Sequence, residues 1–186
     1  MHRAPGETVI ETPRLKLRNW TVDDIEPFIA HLNNPAVMHW LGGVREIDDQ
    51  HWVVRERFMA WQGDRGFTFW VVERKEDGVF LGFCGLKIAD DDGSPVEGAL
   101  EVGWRLREDV WGQGYAKEAA EASLDFAFDR LGAQRVVALT VQGNEASWGL
   151  MRRLGMTRRP GLDYAGPTWA DGIVIVYDVK RGEWRA

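Results

Sequence analysis

The sequence predicts an α/β domain: a mixed, mostly antiparallel sheet with four helices, covering residues 1–186 as a single unit. Three observations predict it. Residues 99–106, 116–131 and 135–141 read in turn as strand, helix and strand, a βαβ unit with parallel strands and a right-handed crossover. Its helix carries Ala120, Leu124, Ala127, Phe128 and Leu131 on one stripe. Ahead of it, two β-rich runs flank Glu76-Asp77-Gly78, whose Asp-Gly pair is a hairpin signal.

Each element has its own signal. Residues 1–13 read as a poorly packed arm. Leu15-Lys16-Leu17-Arg18 alternates apolar and charged, as a half-buried strand does. Thr21 opens the first helix, with Asp24 three residues on as a relative of the capping box, and Asn33-Asn34-Pro35 breaks it near Leu32. Residues 35–47 are irregular. Asp48 or Asp49 caps a second helix with Val54, Phe58 and Trp61 on one face, ended by Gly63–Gly66. Strands at 67–73 and 79–89 enclose the Asp-Gly turn, and 90–98 is an acidic loop. After the βαβ unit, Asn144 caps a fourth helix ending at Leu154, with Gly155 beyond it. Residues 156–159 read as a short strand, 160–172 as a loop and 173–179 as an apolar final strand.

Composition narrows the function. A net charge of −6 argues against nucleic acid as the main partner. No run approaches the ~18 apolar residues of a membrane span, and MHRAPGETVI lacks a signal-peptide core, so no membrane role is expected. The single cysteine, Cys84, excludes an internal disulfide and fits a cytoplasmic protein. It lies in a strand and reads as a core residue. Ten tryptophans are many, and several fall in loops where they can line a pocket.

The loop Trp111-Gly112-Gln113-Gly114-Tyr115-Ala116 joins the first parallel strand to the helix. Glycines there let a ligand approach the backbone, and the first helical N–H groups with the helix dipole suit a phosphate. A plain strand-to-helix turn is the competing reading. Lys117 stands where a dinucleotide fingerprint needs a third glycine, and Ala116-Lys117-Glu118 is no P-loop.

Four segments together resemble the GNAT superfamily of acyl-CoA-dependent N-acetyltransferases, in its RimJ/RimL-like branch. The 111–116 loop resembles the pyrophosphate loop. Thr140–Ser147, continuing to Leu154-Gly155-Met156, resembles the next strand and helix. Glu11–Arg18 and Tyr177–Trp184 resemble the opening and the ending. The resemblance implies parallel strands that splay into a V holding pantetheine. It implies acetyl-CoA as cosubstrate, bound by Val102, Gly103, Trp104, Trp111, Gly112, Gln113, Gly114, Tyr115, Ala116, Lys117 and Asn144, with no metal. Members often begin the loop with Arg or Gln; Trp111 takes that place, so the site leans on backbone.

Acetyl transfer from a thioester to an amine requires amine deprotonation, carbonyl polarisation, protonation of the leaving thiolate and alignment of the reactants. No acyl-enzyme is required. Glu101 matches the glutamate base of some members, acting through water; the bland alternative is a salt-bridged strand residue. His39 is a weaker base. A backbone N–H near Val102–Arg105 polarises the carbonyl. Many members place a tyrosine acid where this chain has Met151; Ser147 resembles the serine proposed as acid in the branch. Asn144 resembles the asparagine that holds the pantetheine arm, and also suits a plain N-cap. The acceptor, a small-molecule amine or a protein N-terminus, is expected between the first two helices and the 160–172 loop, near His39, Trp40, Asp48, Asp49, Tyr164, Trp169 and Asp171. Aromatics and carboxylates suit an amine cation. Competing readings are a CoA-binding sensor without transfer, a transferase for another acyl group, and, ranked last, an unrelated nucleotide-binding protein. Superfamily members often dimerise, so a homodimer is compatible with this reading.

Overall fold

The structure is a computed structural model that describes residues 5–167, 169, 170 and 172–185. Among the described residues, nine strands form one sheet. β1 is Thr8–Glu11, β2 Leu15–Arg18, β3 Phe69–Arg74, β4 Phe80–Ile88, β5 Leu100–Leu106, β6 Arg135–Val141, β7 Thr157–Arg158, β8 Tyr164–Ala165 and β9 Ile173–Lys180. The order is β1-β2-β3-β4-β5-β6-β9-β7, with β8 also on β9. Every neighbouring pair is antiparallel except β5 and β6.

Among the described residues, four helices cover the sheet. α1 is Ile25–Leu32, entered by the turn Val22–Asp24, where the Thr21 N–H donates to Asp24 Oδ2 at 2.8 Å. α2 runs through Ile47–Trp52, a widened π-helical stretch Val53–Met59, and Ala60–Arg65. α3 is Tyr115–Asp125, continued by a π-helical turn Phe126–Arg130. α4 is Glu145–Arg153. Two cores result. Leu86, Val102, Ala120, Leu124 and Phe128 pack under α3 and α4. On the other face, Trp20, Phe28, Phe58, Phe69, Phe80 and Phe83 pack under α1 and α2. Their rings interlock, as in Trp20 edge-on to Phe28 at 5.7 Å and Phe69 stacked on Phe83 at 5.2 Å. That aromatic bed is the floor of the cleft described below.

Several expectations are corrected. The 1–13 arm contains β1, which pairs with β2 through an irregular register between Thr8 and Ile10. Glu46, and neither Asp48 nor Asp49, precedes the first turn of α2; the two aspartates lie inside that turn, where the dipole favours them. Gly63 is helical, and Gly66 at φ +76° ends the helix. The 160–172 loop contributes β8. Asp171 lies outside the described residues.

Candidate active site

The strand pairings produce an opening at the centre of the sheet. β5 has a full antiparallel partner in β4, from Gly82 opposite Leu106 to Ile88 opposite Leu100. β6 is paired equally fully with β9. Between them, β5 and β6 share a single register pair, Glu101 opposite Val137. Beyond that point the strands diverge, and alternate N–H groups of β5 face the gap rather than a neighbour.

The glycine loop sits at the far end of β5. Gly112 and Gly114 adopt φ +75° and +81°, a region that side chains disfavour. Gly114 is the N-cap of α3, and helix geometry leaves the N–H groups of Tyr115, Ala116 and Lys117 without partners inside the helix. Gln113 and Trp111 are exposed, and the Trp111 indole donates to the Leu106 carbonyl at 2.9 Å, so its ring anchors the loop from outside. Glu118 in the first turn would repel an anion. It is neutralised from the turn between β1 and β2: Arg14 Nε lies 2.6 Å from its Oε2, and Thr12 donates to its Oε1 at 2.6 Å. Burial raises the Glu118 pKa, but these donors outweigh it and the net shift is downward. Arg14 also donates to the Gln113 carbonyl at 2.9 Å and lies over the Tyr115 ring. The loop therefore fits an acyl-CoA pyrophosphate, with Arg14 as a support that sequence reading missed.

A cleft of about 510 Å³ opens on the α1/α2 face of β5. Glu101, Val102, Gly103, Trp104, Ser147 and Trp169 all line it. Gly103 is needed there: a Cβ would stand 2.8 Å from the Phe69 ring, which lies against the strand. Glu101 is 8% exposed, and its Oε2 has no hydrogen-bond partner. Lys87 Nζ lies 3.5 Å from it, long for a hydrogen bond, and is held 2.5 Å from Asp90, which Arg57 also binds at 2.6 Å. Burial lifts the Glu101 pKa to about 7; Lys87 opposes this, while Asp91 and Asp90 reinforce it. Glu101 thus titrates near neutrality, the condition that favours a general base.

The remaining candidates are distributed as follows. Asn144 Oδ1 accepts from the Ser147 N–H at 3.3 Å, so it caps α4 as a plain N-cap would, with its amide nitrogen uncommitted to that bond. Met151 lines the cleft but carries no proton to give. Trp169 and Tyr164 both donate to Asp91, at 2.8 and 2.5 Å, tying the 160–172 loop to the acidic loop beside Glu101. Burial and Asp91 both raise the Tyr164 pKa. Asp49 lines the cleft; Asp48 is exposed. His39 and Trp40 lie outside the lining, with their rings edge-on at 4.5 Å. Trp40 packs against Gly143, where a Cβ would come within 2.6 Å of its ring. Cys84 is fully buried and its thiol is pushed up to about 12 by burial, so it is no nucleophile. Among the described residues, no group of His, Cys, Asp and Glu gathers as a metal site, and no helix is long and apolar enough to cross a membrane.

The family profile for the acetyltransferase (GNAT) domain matches residues 14–157. The chain belongs to the GNAT acetyltransferase family. YkkB of Bacillus subtilis (strain 168) is 30% identical over 155 residues, covering 81% of this chain and 86% of YkkB. The crystal structure of an acetyltransferase from Agrobacterium tumefaciens str. C58 superposes with a TM-score of 0.75 at 27% identity, covering 91% of this chain and 92% of that one. The ribosomal-protein-S5-alanine acetyltransferase of Vibrio fischeri shares the fold, with a TM-score of 0.73, 15% identity, and coverage of 95% of this chain and 98% of that one. This GNAT chain is accordingly an acyltransferase, and the open β5–β6 pair is the family's mixed sheet. Sequence reading had overlooked Arg105, Lys87 and Gln50 in the cleft. Period-two alternation from Glu101 through Gly103 to Arg105 was the signal for the first.

Proposed function

We propose that the protein is an acetyl-CoA-dependent N-acetyltransferase that passes acetyl directly to a primary amine within a ternary complex, with residues 1–186 acting as one catalytic domain in the cytoplasm. Glu101 carries this reading: a buried carboxylate with a free oxygen, a pKa near 7, facing a cleft at the last point where β5 and β6 touch. The N–H groups from Gln113 to Lys117 hold the pyrophosphate. The Asn144 amide holds the pantetheine arm beside β5 residues Val102, Gly103 and Trp104. A β5 N–H polarises the thioester carbonyl.

Glu101, through a water, takes the proton that the amine loses as its nitrogen bonds to the carbonyl carbon. The carbon–sulfur bond then breaks, and the thiolate takes a proton from Ser147 or from water. Trp169, on the cleft wall, supports recognition of an amine cation, as does Tyr164 through Asp91. The motifs at Glu11–Arg18 and Tyr177–Trp184 support assignment to the RimJ/RimL-like branch.

Two experiments bear on this reading. Thiol release from acetyl-CoA, measured with a panel of amines and peptide N-termini, should be accompanied by a mass gain of one acetyl group on the acceptor. Release without acetylated acceptor, or none with any amine, contradicts it. Ser147→Ala should lower kcat about 10-fold, or ~1.4 kcal/mol of barrier, with little change in KM for acetyl-CoA. Wild-type kcat in that variant would assign the thiolate proton to water.

A further inference from the structure

The cleft has a second end that the transfer chemistry does not use. Arg105 follows Glu101 and Gly103 on the same face of β5, four residues beyond the base and so roughly 13 Å along the strand. Its guanidinium lies over the Phe83 ring, 5.1 Å from the centroid. Its Nε is completely enclosed and has no hydrogen-bond partner. Arg45 also lines the cleft and faces Arg105 closely enough to repel it. Arg45 is held in place by its own neighbours: its Nη2 donates to the Leu41 carbonyl at 3.1 Å, and its backbone N–H to Asn33 Oδ1 at 2.9 Å.

The other cations of the cleft are treated differently. Arg57 and Lys87 both bind Asp90. Among the described residues, neither Arg105 nor Arg45 has a carboxylate partner. A part-buried cation beside a second cation is costly unless an anion joins them. Burial and Arg45 lower the Arg105 pKa to about 10, which still leaves it charged at neutral pH. Gln50 Oε1, also buried without a partner, lines the same cleft. The aromatic bed of Phe69 and Phe83 and the planar guanidinium fork suit a flat carboxylate.

We propose that Arg105 and Arg45 form a carboxylate-binding subsite of this cleft, so that one of the two reactants carries a carboxylate. It rests on the acyl-transfer reading above. The carboxylate arrives either on the acceptor, an ω-amino carboxylate long enough to bring its amine toward Glu101 while Arg105 stays over Phe83, or on the acyl group, as in a dicarboxylic acyl-CoA such as succinyl-CoA. The two sources share the same chemistry.

The test compares wild type with Arg105→Gln and Arg45→Gln. In the acceptor arm, 5-aminopentanoate and 6-aminohexanoate, whose amine and carboxylate are far enough apart to reach from Arg105 toward the base, are each set against their carboxamide with acetyl-CoA. In the acyl arm, succinyl-CoA is set against acetyl-CoA. The expected result is a roughly 10- to 100-fold preference for the carboxylate in one arm, which names the source, collapsing toward parity in Arg105→Gln and falling partway in Arg45→Gln. Parity in both arms of the wild type, or a preference that survives Arg105→Gln, overturns the proposal. If no acceptor is turned over, the transfer reading has failed on its own. Calorimetric binding of the N-acetyl amino acids against their amides, and of succinyl-CoA against acetyl-CoA, then decides the subsite by the same ratios. Arg45 sits on a loop at the cleft rim, so its variant keeps the test usable if Arg105→Gln fails to fold.

Discussion

Glu101→Gln is expected to lower kcat by roughly 10²- to 10³-fold, the scale of a lost general base. In the wild type, kcat/KM should rise with pH through an acid limb at about 7. The carboxylate accepts a proton only when ionised, and burial keeps it protonated below that value. The variant should lack this limb. Loss of activity should not reflect loss of fold. Between the ordinary value of 4.5 and about 7, the native state holds a proton that the unfolded chain releases, so stability falls as pH rises through that window. Glutamine removes this unfavourable term, and Lys87 keeps Asp90 as a partner. Thermal melting at pH 8 should find the variant no less stable than wild type. A full-rate variant with an unchanged pH profile removes Glu101 from the chemistry.

Gly114→Val should weaken acetyl-CoA binding by roughly 10- to 100-fold, read as Kd by calorimetry. Gly114 sits at φ +81°, where a β-branched residue is a strong outlier, and strain of that kind amounts to about 1–3 kcal/mol. The added side chain also meets Arg14: a Cβ at Gly114 already stands 3.4 Å from its Nη2. To relieve the strain the loop must shift. That shift rotates the Tyr115–Lys117 N–H groups away from a common target and frees the Gln113 carbonyl from Arg14. The fold should survive, because the loop residues Trp111–Gly114 are exposed and outside both cores. An unchanged Kd would mean that the pyrophosphate is held elsewhere.

The parts of this molecule that were legible in its sequence are those decided locally. Asn144 and Gly155 bracket α4 because capping chemistry involves neighbours a few residues apart. The strand limits 135–141 are met residue for residue, because that strand is buried on both faces and reads as one apolar run. β1 was missed because its pairing is irregular between Thr8 and Ile10, which breaks the alternation that marks a strand. The opening between β5 and β6 came from family resemblance rather than from residue pattern, since both strands read as ordinary. Glu101 was legible as a candidate base whose desolvation in a cleft would raise its pKa, and burial does raise it. The balance at about 7 was not legible, because Lys87, which opposes burial, and Asp91 and Asp90, which reinforce it, arrive from β4 and the loop after it. The Arg105–Arg45 pair was hidden for the same reason: one member is on the central strand and the other in the irregular segment ahead of α2.

The most direct test of the central claim is a calorimetric titration of the protein with acetyl-CoA, with CoA and ATP as comparisons. The glycine loop, the neutralised Glu118 and the open β5–β6 pair predict saturable binding of acetyl-CoA and CoA, and no saturable binding of ATP, which lacks a pantetheine arm to fill the gap. Absence of acetyl-CoA binding, or equal affinity for ATP, would contradict it.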